Sequence, residues 1–322
     1  MRRLAGCAVA LAVLAAALLA GAEPAPNPRH RVGAVKVVVL STMLADEGIG
    51  EWGFAALVEA DGHRILFDTG ARPDTVLRNA RELGVDLAGV KEVVLSHNHL
   101  DHTGGLVALR REYAKVDADA LSRAWVGRGI FLPRAPTRVT GQMPAIRADY
   151  ESAGGRFVEL DEPRELFPGV WLTGPVPRVH PERNWNAAGR ILTAQGPVED
   201  DLPEDQALVL DTDRGLVAVF GCGHAGVVNT LTYARRVVRE APIHAVLGGL
   251  HLFEKDDATL DWTADRLRGF GVANLMGAHC TGLEAVYRLR TRLGLDRPRC
   301  VVGAVGASFT LDGGIDPLKL AR

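Results

Sequence analysis

The sequence predicts an α/β fold in which short apolar strands alternate with helices of amphipathic spacing. The predicted strands near Val93, Leu216, Ala245 and Asn274 each run into a turn that contains histidine, and helical spacing follows, as in residues 260–270. A chain of 322 residues can bury a large core. One four-layer α/β domain and two small domains would both fit this length.

The first predicted elements surround a hairpin. Asp61-Gly62 is a strong turn signal between two apolar runs. Helical spacing follows at Val76, Leu77, Ala80 and Leu83. The predicted elements in this part are strands at Val35–Leu40, Ala55–Val58, Ile65–Phe67 and Val93–Leu95, and helices at Arg72–Leu83 and from Leu106 to about Ala114.

The middle of the chain is less regular. Residues 116–150 are rich in Arg, Pro and Gly, which predicts an excursion from the core. Arg128, Arg134 and Arg138 in this segment would be solvated, or one of them would meet a phosphate or carboxylate. The later predicted elements are strands at Phe157–Leu160, Val170–Thr173, Ala207–Leu210, Leu216–Phe220, Ala245–Leu252 and Val301–Leu311, and helices at 227–238 and 260–270.

The first residues have the pattern of a signal peptide. Two arginines precede an apolar run from Leu4 to Leu19, and Ala20-Gly21-Ala22 is a small-x-small cleavage site. We therefore expect a signal peptide at 1–22, a Pro-rich linker at 23–34, a folded domain at 35–312 and a tail at 313–322. The protein would be exported, periplasmic or secreted, with no stable membrane anchor after cleavage. An uncleaved anchor is the alternative, because the run is almost long enough to span a bilayer.

Charge and cysteine content limit the partners. The 37 basic and 39 acidic residues nearly balance, so nothing predicts a nucleic-acid partner, and a small-molecule substrate is expected. Cleavage of the signal would leave Cys222, Cys280 and Cys300, which can form one disulfide at most. Cys222 and Cys280 each lie within two positions of a histidine, so one of them could instead be a metal-site neighbour or ligand.

The most informative stretch follows the strand at Val93. It contains His97, His99, Asp101 and His102. A strand that stays extended through His97 and His99 would place both rings on one face. Imidazole and carboxylate groups are ligands for Zn, Fe or Mn, and this density of them disfavours the alternative of a solvent-facing polar loop.

Two later histidines repeat this pattern at other strand ends. His224 lies in the glycine-rich stretch 221–226, where the backbone can approach a ligand closely. His279 follows the strand at Asn274, and both are predicted metal ligands. His251, within Gly248–Leu252, would either join the site, stack in the core or donate to a substrate.

Residues 96–105 resemble the H-x-H-x-D-H signature of the metallo-β-lactamase superfamily of binuclear metal enzymes. Glu51–Phe54, residues 221–226, Gly248–Leu252 and residues 279–282 resemble its dihydropterin-ribofuranosylaminobenzene-phosphate synthase-like branch, from about Val35 to Thr310. The resemblance implies a four-layer αββα sandwich with two divalent metal ions, Zn first and Fe or Mn as alternatives.

The resemblance also implies roles for individual residues. Asp101 would bind the second metal and orient the catalytic hydroxide. Asp68 would hold a ligand imidazole from behind, although a helix N-cap is an equal alternative. The usual third-motif histidine is missing at 203–206, and Cys222 stands where the superfamily has aspartate. It stays open which of Asp205, Cys222 and His224 completes each metal site.

The expected function is an exported binuclear metal-dependent hydrolase, in which a metal-bound hydroxide attacks an ester- or phosphoester-type substrate. Two alternatives remain: a synthase that forms a C–N bond with release of diphosphate, and a metal-stabilised binding module without catalysis. A β-lactam substrate is supported only by the shared signature. The sequence does not indicate the oligomeric state.

Overall fold

Two β-sheets form the centre of the structure, a computed structural model that describes residues 30–319. The predicted signal peptide and residues 23–29 of the predicted linker lie outside this range. The first sheet has eight strands in the order β17-β16-β1-β2-β3-β4-β5-β6. Its strands are β1 (Val35–Ser41), β2 (Ala55–Ala60), β3 (His63–Phe67), β4 (Glu92–Val94), β5 (Arg123–Gly127), β6 (Arg156–Leu160), β16 (Ser308–Thr310) and β17 (Gly314–Asp316).

The second sheet has seven strands in the order β15-β14-β13-β12-β11-β8-β7, and a separate two-stranded ribbon pairs β9 with β10. The strands are β7 (Arg164–Phe167), β8 (Val170–Leu172), β9 (Arg190–Thr193), β10 (Gly196–Glu199), β11 (Leu208–Thr212), β12 (Gly215–Phe220), β13 (Ile243–Gly248), β14 (Asn274–Gly277) and β15 (Cys300–Val302).

Helices cover the outer face of each sheet. Apolar side chains such as Phe67, Leu210 and Met276 pack between the two sheets. A second apolar cluster, which includes Val76 and Leu109, lies between the first sheet and its helices. A third cluster, which includes Leu231, lies between the second sheet and its helices. The α-helices are Thr75–Glu82, Leu100–Thr103, Leu106–Tyr113, Met143–Ser152, Val227–Val237, Asp257–Gly269 and Leu283–Leu293, with a 3-10 turn at His279–Thr281.

This arrangement is the predicted four-layer αββα sandwich, and the fold prediction is confirmed. From Arg31 onward the described chain forms one compact unit, so the alternative of two small domains is wrong. The predicted hairpin is present, because Asp61 (φ 46°) and Gly62 (φ 86°) turn the chain between β2 and β3. Among residues 30–319, no helix has both the length and the apolar character needed to span a bilayer.

The parallel strands determine where the candidate site lies. β3 to β6 are parallel to one another in the first sheet, and β12 to β15 are parallel in the second. Parallel strands have their carboxyl ends at one edge, where ligands collect in α/β folds. The histidine-containing turns follow β4, β12, β13 and β14.

Several boundaries differ from the predictions. Residues 116–150 are not an excursion, because β5 runs through them and its Ala124 and Val126 are fully buried in the first sheet. The strand has only five residues, begins with Arg123 and is followed by Arg128, which hid its apolar pattern. The expected closing strand at Val301–Leu311 is two strands, β15 and β16, in different sheets.

Both predicted ends of the domain also need correction. Val32 was expected in the linker, but it is fully buried and its N–H donates to the carbonyl of Asp211 at 2.7 Å. The predicted tail contains β17, which pairs with β16 through Phe309 and Ile315. Edge strands this short lack the length over which an alternating pattern can be recognised.

Candidate metal centre

Three histidines meet in the turn after β4. The ring centroid of His97 lies 4.6 Å from that of His99 and 4.2 Å from that of His102. β4 ends at Val94, so the extended strand expected through His97 and His99 is wrong. The chain bends because Asp68 accepts hydrogen bonds from the N–H and the hydroxyl of Ser96, and a short helix begins at Leu100.

The second sheet contributes three more histidines. The ring of His224 lies 4.6 Å from that of His97 and 4.5 Å from that of His251, and the ring of His279 lies 5.0 Å from that of His102. His251 (φ 49°) and His279 (φ 47°) adopt left-handed backbone conformations. Such conformations are rare for non-glycine residues and concentrate at functional sites.

The possible ligand atoms form groups that share one thiol. His97, Cys222 and His224 have ligand atoms within 4.8 Å of one another, and so do His102, Cys222 and His279. Asp101 belongs beside the second group, since its Oδ2 lies 3.3 Å from Nε2 of His279 and 3.9 Å from Nε2 of His102. Cys222 therefore lies between two clusters of nitrogen and oxygen ligands.

Buried atoms without hydrogen-bond partners show that these residues fit a cation. The unpaired atoms include Nε2 of His97, Nε2 of His224, Oδ1 of Asp101 and both ring nitrogens of His279. The contact between His279 and Asp101 is close but too poorly aligned for a hydrogen bond. Buried polar atoms usually have hydrogen-bond partners, so a cluster of unpaired nitrogen and oxygen atoms has the donor chemistry that a divalent cation requires.

The protein environment shifts the pKa values of these histidines in different directions. Burial and neighbouring imidazoles lower the pKa of His97 and His224 well below the ordinary value, and burial lowers the pKa of His99 to about 4. Burial opposes the charge on Asp101, but nearby histidines hold the pKa of its carboxyl below the usual range. Burial also opposes protonation of His102, yet Asp68 and Asp101 outweigh it and raise its pKa to about 9. His97, His99 and His224 are therefore neutral and can donate to a divalent ion beside the ionised Asp101, whereas His102 would release its proton on metal binding.

Asp68 supports this group from behind. Its Oδ2 accepts a hydrogen bond from Nδ1 of His102 at 2.7 Å, which leaves Nε2 of that ring facing Cys222 at 3.1 Å. The alternative that Asp68 caps a helix does not hold, because the next helix begins at Thr75 with Asp74 before it. Hydrogen bonds of this kind select the ring nitrogen that is free for a metal.

Residues 204–206 connect the two ligand-bearing turns. Oε1 of Glu204 accepts hydrogen bonds from the backbone N–H and the side-chain amide of Asn98, between His97 and His99. Oδ2 of Asp205 accepts one from the N–H of Ala225, next to His224, at 2.8 Å. Burial raises the pKa of Asp205 to about 7, although the Ala225 N–H lowers it.

The structure thus separates the predicted site residues into three sets. Asp68 and Asp205 hold the turns of the cluster, through hydrogen bonds from Ser96 and His102 to Asp68 and from Ala225 to Asp205. His251 forms a third group with Cys222 and Cys280. The residues brought together at the centre are His97, His99, Asp101, His102, Cys222, His224 and His279.

Sequence reasoning missed two contributors. Glu204 gave no signal, because its partner Asn98 is distant in the chain. Trp52 was noted only as part of a motif, yet its ring lies 4.9 Å from that of His279. Cys280, a candidate because His279 is its neighbour, belongs to one of the groups of possible ligands.

A cavity of about 550 Å³ opens over the centre. Its lining includes His99, Asp101, His224 and His279, and two side chains that can carry positive charge, Arg138 and Lys255. Three aromatic side chains, Trp52, Trp185 and Phe253, also line it. A cavity of this size and composition suits a small molecule with an anionic group and a flat apolar part.

The other two arginines of the 116–150 segment do not line this cavity. Arg128 pairs with Asp161 on the surface. Arg134 is buried and pairs with Asp200 at 2.6 Å and with Glu204 at 2.7 Å. The solvated position expected for Arg134 is therefore wrong, and Arg138 is the arginine of this segment that faces the site.

Comparison with known proteins gives the class of the molecule. Residues 53–119 match the family model of the metallo-beta-lactamase superfamily. A solved structure described as Tm1679, a metal-dependent hydrolase of the beta-lactamase superfamily, is 25% identical with a TM-score of 0.70, and the match covers 89% of this chain and 100% of that one. Zn(2+)-bound PqqB from Methylobacterium extorquens shares the fold at 15% identity and a TM-score of 0.52, over 85% and 99% of the two chains. The chain is a metallo-β-lactamase-fold protein.

Within this class, one curated relative indicates the branch. The relative is 7,8-dihydropterin-6-methyl-4-(beta-D-ribofuranosyl)-aminobenzene-5'-phosphate synthase of Methanocaldococcus jannaschii, and the chain is 27% identical to it over 266 residues. The match covers 79% of this chain and 90% of the relative. The resemblance inferred from the sequence is confirmed for both the superfamily and the branch. Proteins of this fold bind divalent metals, and most of them are enzymes.

Proposed function

We propose that this protein is an exported hydrolase that uses two divalent metal ions to cleave a small ester- or phosphoester-type molecule. Zn is the expected metal. The observation that carries the proposal is the pair of buried ligand groups that share Cys222 beneath one cavity. His97, His99 and His224 would hold one ion. Asp101, His102 and His279 would hold the other, with Cys222 between them.

Two ions in these positions would lower the proton affinity of water and polarise the bond under attack. The chain's own residues supply the remaining functions. Oδ1 of Asp101 forms no hydrogen bond, so it would be free to orient a nucleophile beneath the cavity that Asp101 lines. Arg138 and Lys255 would bind an anionic substrate group, and Trp52 would pack on an apolar one. The buried position of the histidines limits access of bulk water.

A synthase reaction is the second candidate. It is favoured by the similarity to the archaeal synthase, which extends over 90% of that relative. The same positive groups that would bind a substrate anion could stabilise a departing diphosphate. Export favours the hydrolase, because a phosphorylated pterin precursor would be a cytosolic compound.

The test begins with metal content. Wild-type protein loaded with Zn²⁺ is expected to bind two ions, whereas His279→Ala and His224→Ala should each bind one tightly, because each removes a ligand from a different group. His244→Ala is the matched control, since His244 lies on β13 outside all three groups and should leave both ions bound. One ion in the wild type, or equal loss in all three variants, would contradict the two-ion site.

Activity then separates the candidate functions. The loaded protein should hydrolyse at least one member of a panel of phosphodiesters, lactones and β-lactams, and should lose this activity when the metals are removed with a chelator. Diphosphate release from a pterin-methyl diphosphate with an arylamine acceptor would favour the synthase instead. Two bound ions without either activity would support the non-catalytic binding module.

Export has its own measurement. The proposal rests on the apolar run from Leu4 to Leu19 and the small residues before Glu23. The chain expressed with its native amino terminus is expected in the periplasm or medium, and sequencing of its amino terminus should begin at Glu23. A full-length product that stays in the cytoplasm would exclude the signal peptide, and a full-length membrane-bound product would indicate the uncleaved anchor.

A further inference from the structure

Two free cysteines lie in contact at the base of the cavity. Sγ of Cys280 lies 3.2 Å from Sγ of Cys222, and neither forms a disulfide. Cys222 is 2% exposed and Cys280 is 1% exposed, yet both contribute to the cavity lining. The proposed ion groups use Cys222 but leave Cys280 without a role.

The backbone is built so that these two side chains can meet. Cys222 follows β12 and Cys280 follows β14, and β13 lies between these strands in the sheet. A Cβ added to Gly249, just beyond β13, would lie 2.1 Å from the carbonyl oxygen of Gly221 and 3.0 Å from Sγ of Cys280. Only glycine therefore leaves room for the thiol of Cys280 to reach across β13 to Cys222.

We propose that Cys222 and Cys280 form a reversible disulfide that switches the metal centre off. The sulfur atoms need to approach by about 1 Å to reach bonding distance, a movement that side-chain rotation can supply. The cavity above them admits a small oxidant, for which a hydroperoxide is the chemical class. Cys300 is excluded as a partner because its thiol is buried against the carbonyl of Val286.

The reaction balances with one hydroperoxide. The sulfur of Cys280 attacks the terminal oxygen, the O–O bond breaks, and the other oxygen leaves as water or alcohol with the thiol proton, which gives a sulfenic acid. The sulfur of Cys222 then attacks this sulfur, the S–O bond breaks, and the oxygen leaves as water with the second thiol proton. Two thiols lose two electrons, and one hydroperoxide gains them.

Metal binding should protect the pair. The sulfur of Cys222 belongs to both proposed ion groups, so an ion held there would occupy the atom that must attack the sulfenic acid. A disulfide would in turn remove this shared ligand from both groups. Oxidation and metal binding are therefore expected to exclude each other. The mutual exclusion of oxidation and metal binding rests on the proposed metal centre, whereas disulfide formation in the metal-free protein does not.

The experiment treats the metal-free full chain with hydrogen peroxide and maps its peptides by mass spectrometry without reduction. A linked pair of peptides containing Cys222 and Cys280 is expected, lighter by two hydrogen atoms and restored by a dithiol reductant. Cys300→Ser should give the same link. Cys280→Ser and Cys280→Ala should give none. In the Zn²⁺-loaded protein the link should form at least about tenfold more slowly, since a coordinated thiolate reacts less readily.

The following results would overturn the proposal. Absence of the linked peptides in the metal-free wild type, or a link through Cys300, would exclude this disulfide. Equal oxidation rates with and without Zn²⁺ would exclude the switch, even if the disulfide forms. Loss of one bound ion in Cys280→Ser and Cys280→Ala, together with no link in the wild type, would show that Cys222, His251 and Cys280 hold a metal instead.

Discussion

Metal affinity is expected to fall about 10- to 100-fold in an Asp68→Asn variant, the range found when a residue that orients a metal ligand is changed. Oδ2 of Asp68 now accepts the proton on Nδ1 of His102. An asparagine amide at this position would donate to Nδ1, so the ring would carry its proton on Nε2, the nitrogen that faces Cys222. That tautomer cannot bind an ion at Nε2. Competition with a Zn²⁺-binding dye measures the change.

The Asp68→Asn variant isolates this effect because it should preserve the backbone. Asp68 has φ 57°, a conformation that asparagine also tolerates, and its Oδ1 can still accept the N–H of Ser96. Asp74→Asn is the matched control, since Asp74 is exposed and its side chain makes no capping hydrogen bond. Unchanged Zn²⁺ affinity in Asp68→Asn would show that the imidazole of His102 is not a ligand.

The largest loss of stability is expected from Arg134→Ala, which should lower the free energy of unfolding by about 3–5 kcal/mol. The guanidinium of Arg134 is 2% exposed and pairs with Asp200 and Glu204, which are also buried. Its Nη1 also donates to the carbonyl of Gly129 at 3.1 Å. Removal of the side chain leaves two carboxylates buried without their cation. Denaturant unfolding of the metal-free protein measures the effect.

Arg128→Ala is the control for this variant. Arg128 pairs with Asp161, but their side chains are 70% and 54% exposed, and exposed pairs contribute about 0–1 kcal/mol. Arg134→Ala should also weaken Zn²⁺ binding, because Glu204 holds Asn98 between two of the proposed ligands. A variant that unfolds at the wild-type denaturant concentration would show that the buried ion pairs do not stabilise the fold.

The local parts of the fold could be predicted from sequence. Asp61-Gly62 predicted its hairpin because both residues tolerate positive φ, and the run at Leu216–Phe220 matched β12 in all but one residue. Short or edge strands could not be predicted in this way. β5 and β17 are strands because a neighbouring strand supplies their hydrogen-bond partners, not because their own residues form a pattern.

The candidate site also has a part that could be predicted from the sequence and a part that could not. His97, His99, Asp101 and His102 are close in sequence, so their density indicated a metal site directly. The supporting contacts join distant segments: Glu204 binds Asn98, and Cys280 meets Cys222. Pairings of this kind depend on which strands become neighbours in the sheets, and nothing in the local sequence encodes that order.

The origin of the ligands in both sheets affects how the molecule folds. His97 and His279 are separated by more than half of the 322-residue chain, and their turns meet only when both sheets have packed face to face. Contacts so distant in sequence close slowly, and the chain must lose much of its conformational freedom before they form. We therefore expect ion capture to be a late event that stabilises the finished molecule without accelerating its formation. Stopped-flow refolding would contradict this expectation if added Zn²⁺ raised the refolding rate.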